Sequence, residues 1–89
     1  MAHQSLEILK LAVREATKQV AIGSIHVHYK HPEIPYRVMG FSILEATDEV
    51  AVRYAYIDDL TIEFVRPLVS WLEQVEYDGQ MVNRFTKLD

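Results

Sequence analysis

The sequence contains no cysteine and only three glycines and three prolines among its 89 residues. The lack of cysteine excludes disulfides and thiolate metal sites and is typical of a reducing compartment, so we expect a cytoplasmic protein. The chain also lacks the run of about 20 apolar residues that crosses a bilayer. Glu7, Lys10 and Arg14 stand where a secretory signal would be apolar. We therefore expect neither secretion nor a membrane partner.

Positive charge is also scarce, with nine lysines and arginines against thirteen acidic residues and a net charge of -4. Because binding to nucleic-acid phosphates requires clustered Lys and Arg, we expect no nucleic-acid partner. The acidic residues concentrate in residues 21–89, which hold eleven of them against six basic ones. With 49% hydrophobic residues, the composition is that of one folded domain with a small core.

Apolar residues in the first part of the chain follow each other at steps of three and four, which predicts an amphipathic helix over residues 3–20. They are Leu6, Leu9, Val13, Ala16 and Val20. Ser5 is a candidate N-cap, and Gly23 a stop signal. We expect the helix to be a lid on the rest of the protein. Alternatively, its apolar stripe is a seam between two copies, which would make a homodimer.

From Gly23 onward the apolar period changes from 3.6 to 2, which predicts strands. We expect strands in the segments 25–30, 36–43, 50–56, 61–66, 72–77 and 80–87. The prolines in segment 31–35 predict a loop there, and Gly40 marks a bulge or bend. A helical turn is expected over 68–71, and Asp78-Gly79 predicts a two-residue hairpin turn.

Short strands without crossover helices favour an antiparallel sheet. We therefore predict a mainly β fold, in which one N-terminal amphipathic α-helix precedes a small SH3-like antiparallel barrel of five to six strands. The helix occupies residues 1–22 and the barrel domain residues 23–89.

Several short motifs recur in a fixed order along residues 23–89. They are His28-Tyr29-Lys30, Tyr36-Arg37-Val38 with Gly40, Val65-Arg66-Pro67-Leu68, and Asp78-Gly79 with Arg84-Phe85. In these motifs the chain resembles the bacterial domain-of-unknown-function family 1653, from which it departs at His31, Phe64 and Asn83. The resemblance implies a compact β fold and a short bacterial protein. It implies no reaction, because the family is named for lacking an assigned one.

His28, Lys30 and Arg66 form the strongest candidate site, since they would meet if the first and fourth strands approach each other on the outward side of the sheet. Arg66 offers a planar fork for carboxylate or phosphate, and Lys30 a point charge. We expect these residues, with Tyr29, to contact a small anionic ligand or an acidic segment of a partner. In the alternative, Arg66 and Lys30 pair with nearby glutamates and are structural.

The aromatic residues provide further candidates for ligand binding. Tyr29 and Phe64 are in phase with apolar neighbours and are expected in the core. Tyr54, Tyr56 and Trp71 are expected to be half exposed, and we include Tyr54 and Trp71 in the predicted ligand-binding set. Tyrosines at the rim of an acidic groove would favour a cationic or neutral partner.

The histidines at positions 26, 28 and 31 are candidate zinc ligands. A zinc site also needs a fourth ligand or an open water position, and Glu33 is the only acidic residue close to them in the sequence. We expect solvated histidines on a strand instead, and no cofactor.

The adjacent Asp58 and Asp59 point apart on a turn, and no serine has a histidine and acid partner at a recognisable spacing. The sequence therefore predicts a non-catalytic binding module rather than an enzyme.

Overall fold

The computed structural model describes residues 3–88, which form two helices and seven strands. In chain order the elements are α1 (Leu6–Gln19), β1 (Ile25–His28), β2 (His31–Ile43), β3 (Val50–Tyr56), β4 (Asp59–Pro67), α2 (Leu68–Leu72), β5 (Gln74–Tyr77), β6 (Gln80–Asn83) and β7 (Phe85–Leu88). Residues 1, 2 and 89, which belong to the predicted segments 1–22 and 23–89, lie outside the described residues.

Five strands form one antiparallel sheet in the order β4-β3-β2-β1-β7, and β5 and β6 form a separate two-stranded sheet. The predicted mainly β class with one N-terminal helix is confirmed. Among residues 3–88, strand pairing leaves β4 and β7 as the edges of the larger sheet, so backbone hydrogen bonds do not close the expected barrel. The described residues form seven strands rather than five or six, because the last predicted segment, 80–87, is divided into two strands.

The helix α1 forms where the apolar spacing predicts it. The Ser5 side chain accepts a hydrogen bond from a backbone N–H of the first turn, as an N-cap does. Ala16 and Val20 are buried at the C-terminal end of the stripe, whereas Leu6 at its start is 65% exposed. The C-terminal half of the stripe therefore covers the sheet, and the N-terminal half remains accessible. No helix within residues 3–88 is both long and apolar enough to span a membrane.

The prediction of a loop over residues 31–35 is wrong, because β2 already begins at His31. His31 pairs with His28, and the next pair joins Pro35 to Val27, so residues 32–34 are an irregularity in the ladder. This irregularity lets the strand continue past both prolines, neither of which can donate a ladder hydrogen bond. As a result β2 is 13 residues long.

The predicted bulge at Gly40 is present, since the register of β2 against β3 shifts between Val38 and Gly40. An added Cβ at Gly40 would lie 2.6 Å from Nη2 of Arg53. Glycine at this position therefore leaves room for the guanidinium in its observed place.

The hairpin turn at Asp78-Gly79 is confirmed, with φ of 56° and 79° at these two residues. Positive φ at both central positions is the geometry of a type I′ turn. The chain then changes sheets at Arg84, whose N–H donates to the carbonyl of Glu73 while its carbonyl accepts from Tyr29 N–H. This change of partner divides the last predicted strand into β6 and β7.

The core lies on one face of the five-stranded sheet, which we call the inner face. Its buried cluster contains Val20, Val38, Val52, Tyr54, Trp71 and Phe85. Val20 follows α1, Trp71 lies on α2, and the others come from the sheet. The helices therefore cover one part of the inner face and leave another part open.

Candidate functional site

The open part of the inner face is an aromatic-lined cavity of about 310 Å³. Its lining residues are His28, Lys30, His31, Tyr36, Tyr54, Tyr56, Phe64, Arg66 and Phe85. Strand register explains why they meet: Tyr36 lies opposite Tyr56, and Tyr54 lies opposite Phe64. Residues that are directly opposite in an antiparallel pair share one face of the sheet. Five strands therefore bring residues from distant parts of the sequence into one cavity.

The aromatic end of the cavity is built by Tyr36, Tyr54, Tyr56 and Phe64. Tyr36 and Tyr56 are stacked with ring centroids 5.3 Å apart and an interplanar angle of 25°. Phe64 meets both of these rings at 86°, at centroid distances of 6.1 and 5.2 Å. Such edge-to-face pairs are the arrangement that the aromatic quadrupole favours. Burial, followed by the neighbouring tyrosines, raises the pKa of Tyr36, so its hydroxyl stays protonated.

The other end of the cavity is cationic and centres on Arg66. Its guanidinium carbon lies 5.4 Å from the ring centroid of Phe85, and Nη1 donates a 3.0 Å hydrogen bond to Ser70 Oγ. Nε is buried and has no hydrogen-bond partner within the described chain. Arg66 thus uses few of its five donors inside the protein.

Two of the glutamates considered as partners for Arg66 and Lys30 are paired with other arginines. Glu63 pairs with Arg53 at 3.1 Å, and Glu73 pairs with Arg84 at 2.6 Å. Within residues 3–88, neither Arg66 nor Lys30 forms an ion pair with a carboxylate. Of the alternatives weighed from the sequence, the one in which glutamates neutralise these two cations is therefore not what the structure shows.

His28 lines the cationic end together with Arg66 and Lys30. Its Nδ1 accepts a 3.1 Å hydrogen bond from the backbone N–H of Lys30, so the neutral ring carries its proton on Nε2. Burial lowers the pKa of His28, and the charges of Arg66, Arg84, His31 and Lys30 lower it further. His28 is thus a neutral donor in a positively charged surrounding. One carboxylate lies at the rim, Glu33, which is 3.4 Å from His31 Nδ1.

The predicted ligand-binding residues divide into three groups. His28, Lys30, Arg66 and Tyr54 line the cavity, so the expected meeting of the first and fourth strands is present. It occurs on the inner face rather than on the outward side. Tyr29 does not line the cavity, and its ring lies 5.4 Å from that of Tyr77. Trp71 lies outside the lining set and stacks on Phe85 with centroids 3.7 Å apart.

Four predictions of burial are wrong. Phe64, expected in the core, is 36% exposed because β4 is an edge strand, whereas Tyr54 and Trp71, expected to be half exposed, are buried. The histidine face of β1 is not the solvated one, since His26 is buried with its ring 5.2 Å from Trp71. Burial depends on what covers each face, and a period of two does not say which face is covered.

Sequence reasoning missed His31, Tyr36, Tyr56, Phe64 and Phe85 as lining residues. A signal existed for two of them, because Tyr54 and Tyr56 share a face of their strand and Phe64 and Arg66 share a face of the next. Extending the predicted patch along these faces would have found Tyr56 and Phe64. The opposition of Tyr36 to Tyr56 depends on register and had no such signal.

The three histidines do not assemble into a metal site. His28 and His31 line the cavity, whereas His26 lines a separate cavity of about 260 Å³ beside Trp71. In the part of the chain that the structure describes, no group of three or more His, Asp and Glu side chains is placed to hold a metal ion.

The fold and the cavity together define a small mainly β domain with an open, cation-rimmed aromatic cavity. The family model described as "Protein of unknown function (DUF1653)" matches residues 24–87, and the chain belongs to this family. The resemblance found in the sequence motifs is thus confirmed. No curated protein matches the chain.

A solved structure is similar to the chain over most of its length. It is the crystal structure of a DUF1653 protein from Bordetella bronchiseptica, with 26% sequence identity and a TM-score of 0.64. The match covers 79% of this chain and 90% of the other.

Proposed function

We propose that this protein is a non-catalytic binding module whose cavity takes a small anionic ligand. The observation that carries the proposal is the convergence of Arg66, Lys30 and His28, whose Nε2 carries the proton, on one cavity. Glu63 and Glu73 are paired with other arginines. In a chain of net charge -4, a local surplus of positive charge is the feature that an anion would recognise.

The shape of the cavity favours a small ligand over an acidic segment of a partner protein. Its volume of about 310 Å³ lies at the lower end of the range of small-molecule sites, roughly 300 to 1,000 Å³. Lys30 is exposed at the rim, whereas Arg66 and His28 are partly buried, so the charge is offered within a concave surface. An acidic peptide would meet mainly Lys30, while a small anion reaches all three donors.

The experiment is a two-dimensional NMR titration of the full chain with acetate, inorganic phosphate and a short polyglutamate peptide. We expect acetate or phosphate to shift the amide signals of β1 and β4 in a saturable way. Arg66→Gln should weaken this binding at least about tenfold, since a hydrogen bond to a charged group contributes roughly 1.5 to 3 kcal/mol. Lys30→Gln should weaken it less, because an exposed charge is screened.

Arg37→Gln is the matched control, because it removes the same charge from an exposed position on β2 beside Tyr36. It should leave anion binding within about twofold of the native chain. If neither small anion shifts β1 and β4, or if Arg37→Gln weakens binding as much as Arg66→Gln, the proposal is wrong. Binding of the polyglutamate peptide alone would replace the small ligand with an acidic partner segment.

A second candidate function is self-association of two copies through α1. It is favoured by the accessible N-terminal part of the apolar stripe, where Leu6 is 65% exposed. Light scattering on the native chain should then give a dimer mass at high concentration, and Leu6→Gln should shift the equilibrium towards monomer. Lys18→Gln, on the same helix, is the control. A monomer mass at all concentrations would remove this candidate.

A further inference from the structure

The cavity has two unlike ends, and their separation is set by β4. Phe64 at the aromatic end and Arg66 at the cationic end lie two residues apart on the same face of this strand. Two residues of a strand span about 6.6 to 6.8 Å. This length is close to that of one benzene ring carrying a carboxylate. A ligand of that form would reach both ends at once.

We propose that the ligand is a planar aromatic carboxylate, with its ring at the aromatic end and its carboxylate at the cationic end. This inference rests on the proposed anion-binding function and adds the chemical class of the ligand. The ring meets Tyr36, Tyr56 and Phe64, and the carboxylate faces Arg66 and His28.

The aromatic end presents ring faces and edges in two nearly perpendicular directions. Phe64 stands at 86° to both Tyr36 and Tyr56, so a ring bound over this cluster contacts the edge of one side chain and the face of another. Aromatic pairs of this kind are more favourable than the buried area alone accounts for. Phe64 is also 36% exposed, and a bound ring would cover part of that surface.

An aromatic cavity of this kind would also suit a cationic ligand if it stood alone. The cationic end reverses that preference. Arg66 and Lys30 repel a cation, and both of them, with the proton on His28 Nε2, offer hydrogen-bond donors to an anion. The planar fork of Arg66 matches a carboxylate better than a point charge does. The cavity of about 310 Å³ leaves room for a single ring with small substituents.

The experiment is an NMR titration of the full chain with benzoate, acetate and benzamide. Benzoate has both recognition groups, acetate has only the carboxylate, and benzamide has the ring with a neutral head. We expect benzoate to bind at least about tenfold tighter than either of the others, because each lacks one contact.

The three ligands separate the failure of this inference from the failure of the proposed function. Equal binding of acetate and benzoate would overturn the aromatic class while leaving anion binding intact. Equal binding of benzamide and benzoate would show that the negative charge of the ligand does not contribute to binding, and the proposed function would then be wrong. Tighter binding of benzoate than of both supports the two proposals together.

Phe64→Ala tests the aromatic end, and Ile62→Ala is its control, because Ile62 is an exposed apolar residue of the same strand that does not line the cavity. Phe64→Ala should weaken benzoate binding roughly five- to tenfold and change acetate binding less than about twofold. Ile62→Ala should change neither. If Phe64→Ala does not fold, Phe64→Leu keeps an apolar side chain and should show the same selective loss. An equal loss of benzoate and acetate binding in the Phe64 variant would contradict the placement of the ring.

Discussion

The indole of Trp71 stacks on the ring of Phe85 with centroids 3.7 Å apart and planes inclined by only 5°. Trp71 lies on α2, the short helix that directly follows the edge strand β4, and Phe85 is the first residue of the other edge strand, β7. Arg66 on β4 also lies over Phe85. The two edges of the sheet are thus joined by side chains rather than by a backbone ladder. This contact brings Arg66 of the β4 edge towards β7 and its neighbour β1, where His28 lines the same cavity.

We expect Trp71→Ala to destabilise the protein strongly. Trp71 is 3% exposed and contacts Tyr54, His26 and Phe85, so its removal leaves a large cavity in a small core. The expected loss is about 3 to 5 kcal/mol, a large part of the total stability of a small domain. Urea denaturation followed by circular dichroism measures it.

Val69→Ala is the control for this loss, because Val69 lies on the same short helix and is 74% exposed. It should change the free energy of unfolding by less than about 0.5 kcal/mol. Similar losses in the two variants would show that α2 itself, rather than the ring stack, stabilises the fold.

Gly40→Ala should destabilise the protein because of one contact. The new Cβ would lie 2.6 Å from Nη2 of Arg53, and the Arg53 side chain is held by Glu63. The clash is with the end of a flexible side chain, so the expected cost is only about 1 to 2 kcal/mol.

A double-mutant cycle tests this explanation. In an Arg53→Ala background, Gly40→Ala should cost almost nothing or stabilise by a few tenths of a kcal/mol, because the backbone at residue 40 does not have positive φ. If the cost of Gly40→Ala is the same in both backgrounds, its cause is the strand bulge and not Arg53.

Stability should fall as the pH drops below about 6.5, with His26 as one source. Ser24 Oγ donates to the carbonyl of Ala21, so it accepts from His26 Nε2 at 2.8 Å. Protonation would then place a hydrogen on Nδ1, which is buried and has no hydrogen-bond partner among residues 3–88. Burial, and secondly the charge of Lys87, accordingly lower the pKa of His26 below 6.5.

The direction in which stability changes with pH follows from how many protons the folded and unfolded chains bind. A folded-state pKa below the unfolded value means that the unfolded chain binds more protons between the two values. The stabilising contribution of His26 is therefore complete above about 6.5 and decreases as the pH falls towards the folded pKa. The pKa of His28 is shifted in the same direction and adds to this effect.

Thermal denaturation at pH 7.5, 6.5 and 5.5 tests the pH dependence. His26→Gln should reduce the drop in Tm between pH 7.5 and 5.5. A drop of the same size in native protein and His26→Gln would contradict the role of His26.

At the hairpin turn, Gly79→Ala should cost about 1 to 2 kcal/mol. An added Cβ meets nothing within 4 Å there, so the cost comes only from the φ of 79°. Gly79→Asn should cost less, because asparagine tolerates positive φ better than alanine does. Urea denaturation of both variants gives the comparison. Equal costs would mean that φ is not the cause.

Local patterns in the sequence predicted the parts of the fold that depend on neighbouring residues. The spacing from Leu6 to Val20 predicted α1, and Asp78-Gly79 predicted a turn in which both residues have positive φ. The strand over residues 50–56 was predicted with its observed bounds. Each of these depends on backbone preference or on period within about 15 residues.

Half of the candidate cavity was also predictable from the sequence. His28, Lys30 and Arg66 stood out because hydrogen-bond donors suited to an anion are scarce in an acidic domain, and all three line the cavity. The aromatic half was harder to predict. Tyr36 joins it only through its register opposite Tyr56, and Phe64 because it lies on an edge strand.

By itself, then, the sequence determined the N-terminal helix, the strand-rich remainder, the hairpin turn and the identity of the cations. Tertiary structure alone decided which face of each strand is covered, why Trp71 is buried and Phe64 is not, and on which side of the sheet Arg66 meets His28. The physical reason is that alternation divides the residues of a strand between two faces. Which face is buried depends on the order of the strands and on the helices that pack against them.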